Sequence, residues 1–271
     1  MDLNRPWTEY TFVAFDTETS GAWPVGCDIV EFGAVKWQNG KEIDRLQLLF
    51  KPREPMTDFI IGIHGITNEM VENAPPISRE IRRIGDFFRG TIPMAHHAPF
   101  DLGFVAIDLE ANGVALPEEP VLCTSLLSRK LIHGTPNHKL QTLVRHLGID
   151  GGAAHRALDD ARSCLQVGLK CFEALGPDAT LEQLLKVQEK RLFWKDYRIL
   201  QGSSPLIKTI AEAVREKAVF HFIYDKGTDF RAARPMGVVR SPDGDFMQAL
   251  CSKDGIAKRF YLSKIKDFKV L

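Results

Sequence analysis

Nowhere in this 271-residue chain do 18 or more apolar residues run together, so no stretch has the length of a membrane-crossing helix. Met1-Asp2-Leu3-Asn4-Arg5-Pro6 carries no secretory pattern, and a cytoplasmic protein with no membrane partner is expected. Cysteine is scarce: five residues, at 27, 123, 164, 171 and 251, odd in number and without a Cys-x-x-Cys pair. A zinc ribbon and a disulfide framework are therefore not indicated. Cys164 and Cys171, at i, i+7 among apolar neighbours, read as buried thiols. Internal repeats and low-complexity tracts are also missing.

Net charge is lacking as well, since 35 Lys and Arg balance 35 Asp and Glu. The balance hides an asymmetry. Residues 1–186 hold 18 basic and 25 acidic residues, a net of −7, and residues 187–271 hold 17 and 10, a net of +7. Acid gathered in one part is what a metal-carboxylate site produces, and base gathered in another suits phosphate. The length favours two domains.

What is present is organised around Phe12-Val13-Ala14-Phe15-Asp16-Thr17-Glu18-Thr19, an apolar strand-like run closing in two carboxylates. Alternation along a strand sends Asp16 and Glu18 to the same side. Two acids so placed repel unless a cation lies between them, and Mg²⁺ or Mn²⁺ prefers carboxylate oxygen. Further strands are expected at 29–37 and 43–50, joined by Asn39-Gly40. Leu46-Gln47-Leu48-Leu49-Phe50 faintly resembles a sliding-clamp-binding peptide, but the strand reading is preferred. A short helix follows Thr67, an amphipathic helix spans Ser78 to about Gly90, and Ile92–Ala95 is a strand ending near Asp101. Helices striped by Leu140, Leu143, Val144 and Leu147, and from about His155 to Leu175, complete this part. Asp16, Glu18 and Asp101 thus close apolar segments, while His155 and Asp160, five apart, straddle the N-terminal turns of the long helix, so that one point could be reached by both. Two metals held by four carboxylates suit in-line displacement at phosphorus, and a histidine can take the attacking water's proton.

Phe15-Asp16-Thr17-Glu18-Thr19-Ser20-Gly21, His97-Ala98-Pro99-Phe100-Asp101 and His155-Arg156-Ala157-Leu158-Asp159-Asp160-Ala161 resemble the three motifs of the DEDDh 3′–5′ exonucleases. The resemblance runs over about residues 8–175 and includes the His64-Gly65-Ile66-Thr67 loop. It implies an α/β, ribonuclease H-like fold with a five-stranded mixed sheet. It further implies two divalent ions, with Asp16 bridging both, Glu18 and Asp160 completing the nucleophile-side ion, and Asp101 holding the second. His155 would be the general base, and Thr17 and His64 would lie against the terminal nucleotide. Hydrolysis from a free 3′ end to nucleoside 5′-monophosphates is the implied activity, on single-stranded DNA by preference, with RNA trimming or a non-catalytic end sensor as alternatives. A role in DNA repair or nucleic-acid turnover would follow. One departure stands out: His97 occupies a position where the family usually has Asn, which puts local hydrogen bonding and substrate preference in doubt.

The division expected is 1–176 for this domain, 177–205 for a helical linker ending in Gln201-Gly202-Ser203-Ser204-Pro205, and 206–271 for a second domain. A helix at 206–217 and β-type runs at 219–224, 230–239, 245–251 and 257–270 suggest a small barrel. Arg231, Pro235, Arg259 and the pattern over 260–265 resemble a WYL domain, a small SH3-like or Sm-like β-barrel. That resemblance implies a nucleotide or oligonucleotide ligand, with Arg231, Arg259 and Tyr224 as candidates to hold it. Such a ligand would assist or regulate the nuclease.

Overall fold

The computed structural model describes residues 2–200, 204–240 and 244–270. The chain opens with strands β1 (Phe12–Thr19), β2 (Ile29–Gln38) and β3 (Lys41–Leu49), an antiparallel set turning at Asn39-Gly40. Leu46 is buried in β3 and Phe50 is buried beyond it, so the clamp-like peptide is a strand and not a free tail. Helix α1 (Asp58–His64), absent from the sequence reading, starts at a Thr57 cap and stops at a left-handed Gly65. Next come α2 (Asn68–Val71), α3 (Ile81–Phe87), β4 (Ile92–Ala95), α4 (Pro99–Ala111), β5 (Leu122–Cys123) and α5 (Thr124–Leu131). The unit closes with α6 (Leu140–Leu147), α7 (Ala157–Leu175) and α8 (Leu181–Gln188).

The first sheet has the order β3-β2-β1-β4-β5, with β4 and β5 parallel to β1. This is the expected mixed α/β sheet. Each face carries its own core. Phe12 and Ala14 point toward α7 and α8, packing with Val35, Cys164, Cys171 and Phe172. Val13 and Phe15 point the other way, to Ile84, Phe88, Leu102 and Trp194. By the same alternation Asp16 and Glu18 fall on the α7 side, at the end of the strand where β4 no longer pairs.

Residues after 176 are packed onto this sheet. Leu181, Leu184 and Leu185 lie in one core, Trp194 and Tyr197 in the other. Helix α8 stops at Gln188, whose side chain bonds Cys123 N and the Val121 and Lys190 carbonyls. Of the expected linker, residues 201–203 lie outside the described residues.

Helix α9 (Pro205–Arg215) leads into β6 (Phe220–Tyr224), β7 (Arg231–Val239), β8 (Phe246–Cys251), β9 (Ala257–Tyr261) and β10 (Ile265–Val270). The single run expected at 257–270 is two strands, divided by a 3₁₀ turn at Leu262–Lys264. All neighbours are antiparallel, in the order β10-β6-β7-β8-β9. Among the described residues no ladder joins β9 to β10, so where a small barrel is expected the strands form one five-stranded antiparallel sheet. Its core (Phe220, Phe222, Ala233, Met247, Ala249, Phe260) is covered by Ile207 and Ile210 of α9. Among the described residues no helix is long and apolar enough to cross a membrane.

Candidate active site

The site begins with a glycine. Gly33 stands opposite Asp16 in the β1–β2 ladder. A Cβ there would fall inside van der Waals contact of the Ala157 and Leu158 backbone. Only glycine lets the first turn of α7 descend onto the sheet beside the acidic end of β1.

That first turn is anchored by a buried acid. Glu31, the third residue of β2 and fully buried, accepts from Ala157 N at 3.0 Å and from Arg156 Nη2 and Nε at 2.8 and 3.2 Å. Gln47 donates to it at 2.8 Å. Burial opposes its charge, but these donors hold its carboxyl below the usual range. Glu31 thereby caps α7 in place of a side chain from the helix's own N-cap.

The anchor delivers Asp160 and His155. Asp160 accepts from His155 N at 2.9 Å on one oxygen and from Gln141 Nε2 at 2.8 Å on the other, which fixes the carboxylate plane. His155 has a left-handed backbone, φ 61°, and is exposed. Ligand-type atoms of Glu18, His155 and Asp160 all lie within 4.8 Å of one another. Asp159 faces away, accepting from Ala153 N at 3.1 Å beside Arg162.

Asp101 approaches from the first turn of α4 and is 2 % exposed. Its Oδ1 accepts from both Thr17 N (3.0 Å) and Thr17 Oγ1 (2.8 Å), because β4 pairs β1 only as far as Ala14. Thr17, expected against a nucleotide, thus spends its hydroxyl on holding Asp101. His64, 5 % exposed, accepts from Ile66 N at 3.0 Å on Nδ1, while its buried Nε2 makes no hydrogen bond of ordinary geometry. Burial pushes its pKa down, with the Thr19 backbone and Glu31 opposing and His155 reinforcing.

The carboxyls repel one another. Burial first, then Asp101, Glu18, Asp160 and Glu31, hold Asp16 well above the usual carboxylate range. Glu18 is pushed up to about 8 by burial and then by Asp160 and Glu31. Asp101 is pushed up to about 7 by burial, against the pull of Thr17. Asp160 is raised by burial and relieved in part by His155 and Gln141. An all-oxygen set of like charges, partly desolvated, fits hard divalent cations. The Cys164 thiol nearby is held protonated by burial, which removes it as a soft ligand.

His97 also has a left-handed backbone, φ 62°, a conformation that favours Asn and His alike. His96 is tied between Thr124 Oγ1 (2.9 Å) and the His138 carbonyl (3.0 Å), and burial lowers it to about 4, as suits a structural residue. Sequence reasoning missed Gln141, nineteen residues from its partner, and the anchoring role of Glu31. A carboxylate inside the otherwise apolar run Ile29–Val35 was a signal for the second, since buried acids are paired.

The candidates in the C-terminal sheet do not converge. Tyr224 packs at 5.2 Å against Phe260 and its hydroxyl accepts from Tyr261 N, so it is a core residue. Arg231 shares the face of Ala233 and Phe222, whereas Arg259 shares the opposite face with Gln248. Strand alternation separates the two guanidinium groups.

The Exonuclease family model matches residues 13–167, more than half of the chain. A PolC-type DNA polymerase III of Halalkalibacterium halodurans is 35% identical over 162 residues, which are 60% of this chain and 11% of that protein. This chain therefore spans a small part of that relative. The nuclease domain of 3′hExo, a DEDDh family member solved bound to rAMP, superposes with TM-score 0.53 at 20% identity, over 63% of this chain and 96% of that one. A structure of exonuclease I matches with TM-score 0.53 at 15% identity, over 89% of this chain and 55% of its own. That share exceeds what residues 1–205 can supply, so the likeness in fold runs into the C-terminal sheet.

Proposed function

The chain belongs to the Exonuclease family, and from that premise we propose that it is a metal-dependent 3′–5′ exonuclease. Its substrate is nucleic acid with a free 3′ end, single-stranded DNA before RNA, a preference supported by similarity to a protein named as a DNA polymerase III. The observation that carries the reading is the meeting of Glu18, His155 and Asp160 within 4.8 Å, beside Asp16 and Asp101 in one mutually repelling set.

Two divalent ions, Mg²⁺ or Mn²⁺, would be held by Asp16, Glu18, Asp101 and Asp160. When bound they supply Lewis-acid stabilisation of the phosphoryl oxygens and make an attacking water more acidic. His155, exposed at the mouth, takes the proton from that water. Glu31, Arg156 and Gln141 keep His155 and Asp160 in register, and Thr17 keeps Asp101 in place. His64 would face the terminal nucleotide, which leaves as a 5′-monophosphate. For residues 206–271 the WYL-like reading remains a proposal, supported by the helix-then-five-strands order.

Incubation of single-stranded DNA, duplex DNA and RNA with Mg²⁺ or Mn²⁺, beside Asp16→Ala, tests this. Nucleoside 5′-monophosphates released by the parent chain and not by the variant are expected. Tight strand binding without turnover on any substrate would contradict it.

A further inference from the structure

The loop leaving the catalytic strand, residues 20–28, does not project freely; it is seated on the C-terminal sheet. Asp28 N donates to Ser20 Oγ at 2.9 Å and Ser20 N to the Asp28 carbonyl at 2.8 Å, closing the loop at its base. Cys27 N donates to the Trp23 carbonyl at 3.0 Å. On one side Pro24 rests against Gly103 of α4, two residues beyond Asp101, where a Cβ would lie 3.0 Å from the proline ring. On the other side a Cβ at Gly26 would lie 2.5 Å from the Met236 carbonyl oxygen, and one at Gly237 would overlap Trp23 and the Val25 carbonyl. Two glycines, one in each partner, are therefore what permits this backbone approach.

The register says which face of the sheet receives the loop. Gly237, Gln248 and Arg259 are cross-strand partners, as are Val239, Phe246 and Tyr261, and Arg234 and Leu250. These residues line the face opposite the core covered by α9. Trp23 meets Phe246 edge-on at 6.4 Å, Tyr261 meets it at 6.1 Å, and the Arg259 guanidinium lies 4.1 Å over its ring. Phe246 is 6 % exposed and acts as the buried keystone, while Trp23 and Tyr261 are half-buried and Arg234 and Arg259 exposed. Strands β7, β8 and β9 contain not one Asp or Glu, and of their four basic residues Arg234 and Arg259 fall on this face while Arg231 and Lys258 fall on the other. Neither Arg234 nor Arg259 has a carboxylate partner among the described residues.

We infer that this composite face, Trp23 with Tyr261, Arg234 and Arg259, binds the single-stranded nucleic acid on its way to the acidic centre. The inference rests on the nuclease reading above and adds where the rest of the strand lies. Half-exposed aromatic rings offer stacking to any base, and unpaired guanidinium groups offer charge to phosphates. The acid-free strands complement a polyanion, in contrast to the acidic centre that requires cations before it can accept one. The loop makes the two continuous, since it starts one residue after Thr19 at the end of the catalytic strand.

The test compares full-length protein with Arg259→Ala and Arg234→Ala, both exposed positions that leave the core intact. Each is assayed with Mn²⁺ on a single strand of about 20 nucleotides and on a dinucleotide, which has only one nucleotide beyond the terminal one. The ratio of kcat/KM for the long strand to that for the dinucleotide is expected to fall about five- to tenfold in each variant, through KM. An unchanged ratio, or equal loss at both lengths, overturns the inference. So does displacement of the labelled strand by polyglutamate as effectively as by unlabelled strand, which assigns the face to an acidic protein segment. If the parent chain degrades neither substrate, the nuclease reading has failed instead.

Discussion

Gly33 of β2 and Ala157 of α7 touch backbone to backbone directly across from Asp16, and this contact sets the distance between the helix and the acidic end of β1. Everything that α7 contributes, Asp160 in its first turn and His155 just before it, is placed by how closely the helix lies on the sheet.

Gly33→Ala is therefore expected to cost about 1–3 kcal/mol of stability by overpacking and to lower kcat about 100-fold by displacing Asp160. Urea unfolding and single-strand turnover measured on the same sample check both. A fully active Gly33→Ala chain would show that α7 can shift without consequence.

Glu31→Gln removes the charge that holds Arg156 and the Ala157 amide. Arg156 is about a third exposed, so the loss in stability is expected to be about 1–3 kcal/mol and not the full cost of breaking a buried pair. Turnover should fall with it, because the loop carrying His155 loses its anchor. Arg156→Lys, which keeps the charge but not the two-pronged geometry, should recover only part of the rate.

Gln141→Ala leaves one oxygen of Asp160 without its donor. The concentration of Mn²⁺ giving half-maximal turnover is expected to rise about 10-fold or more, with little change in stability. A metal titration of the rate distinguishes this from a folding defect.

The raised carboxyls give metal-free protein a definite pH dependence. An acid that ionises near pH 4 when unfolded, but near 7 (Asp101) or 8 (Glu18) when folded, binds its proton more tightly in the folded state. That contribution is fully present below about pH 4 and is lost as pH rises through about 7 to 8. The Tm of metal-free protein should accordingly fall across this window, and Mn²⁺ should raise Tm most at its upper end. A calorimetric scan series with and without metal shows it, and proton release on metal addition at pH 7 is the companion signal.

Much of the site was legible because its chemistry is written locally. Asp16 and Glu18 interrupt an apolar strand, and Asp160 opens a long helix. The first sheet was legible for the same reason, since its strands are apolar runs ended by turn residues. Helix α1 was missed although Thr57 and Gly65 bracket it, because Phe59 and Ile63 are exposed and blur its apolar face. Closure of the C-terminal sheet depends on strand tilt and on pairing between β9 and β10, which no local pattern encodes. Gln141 and the Gly26–Gly237 approach were invisible because each is defined only by a distant partner.

The most direct measurement of the central claim is the first product formed from a single strand labelled in turn at its 3′ and its 5′ end, in Mg²⁺, by the parent chain and by His155→Ala. The account predicts immediate release of a labelled mononucleotide from the 3′ end, stepwise shortening of the 5′-labelled strand, and loss of both in the variant. Release from the 5′ end, internal cuts, or full activity in His155→Ala would contradict it.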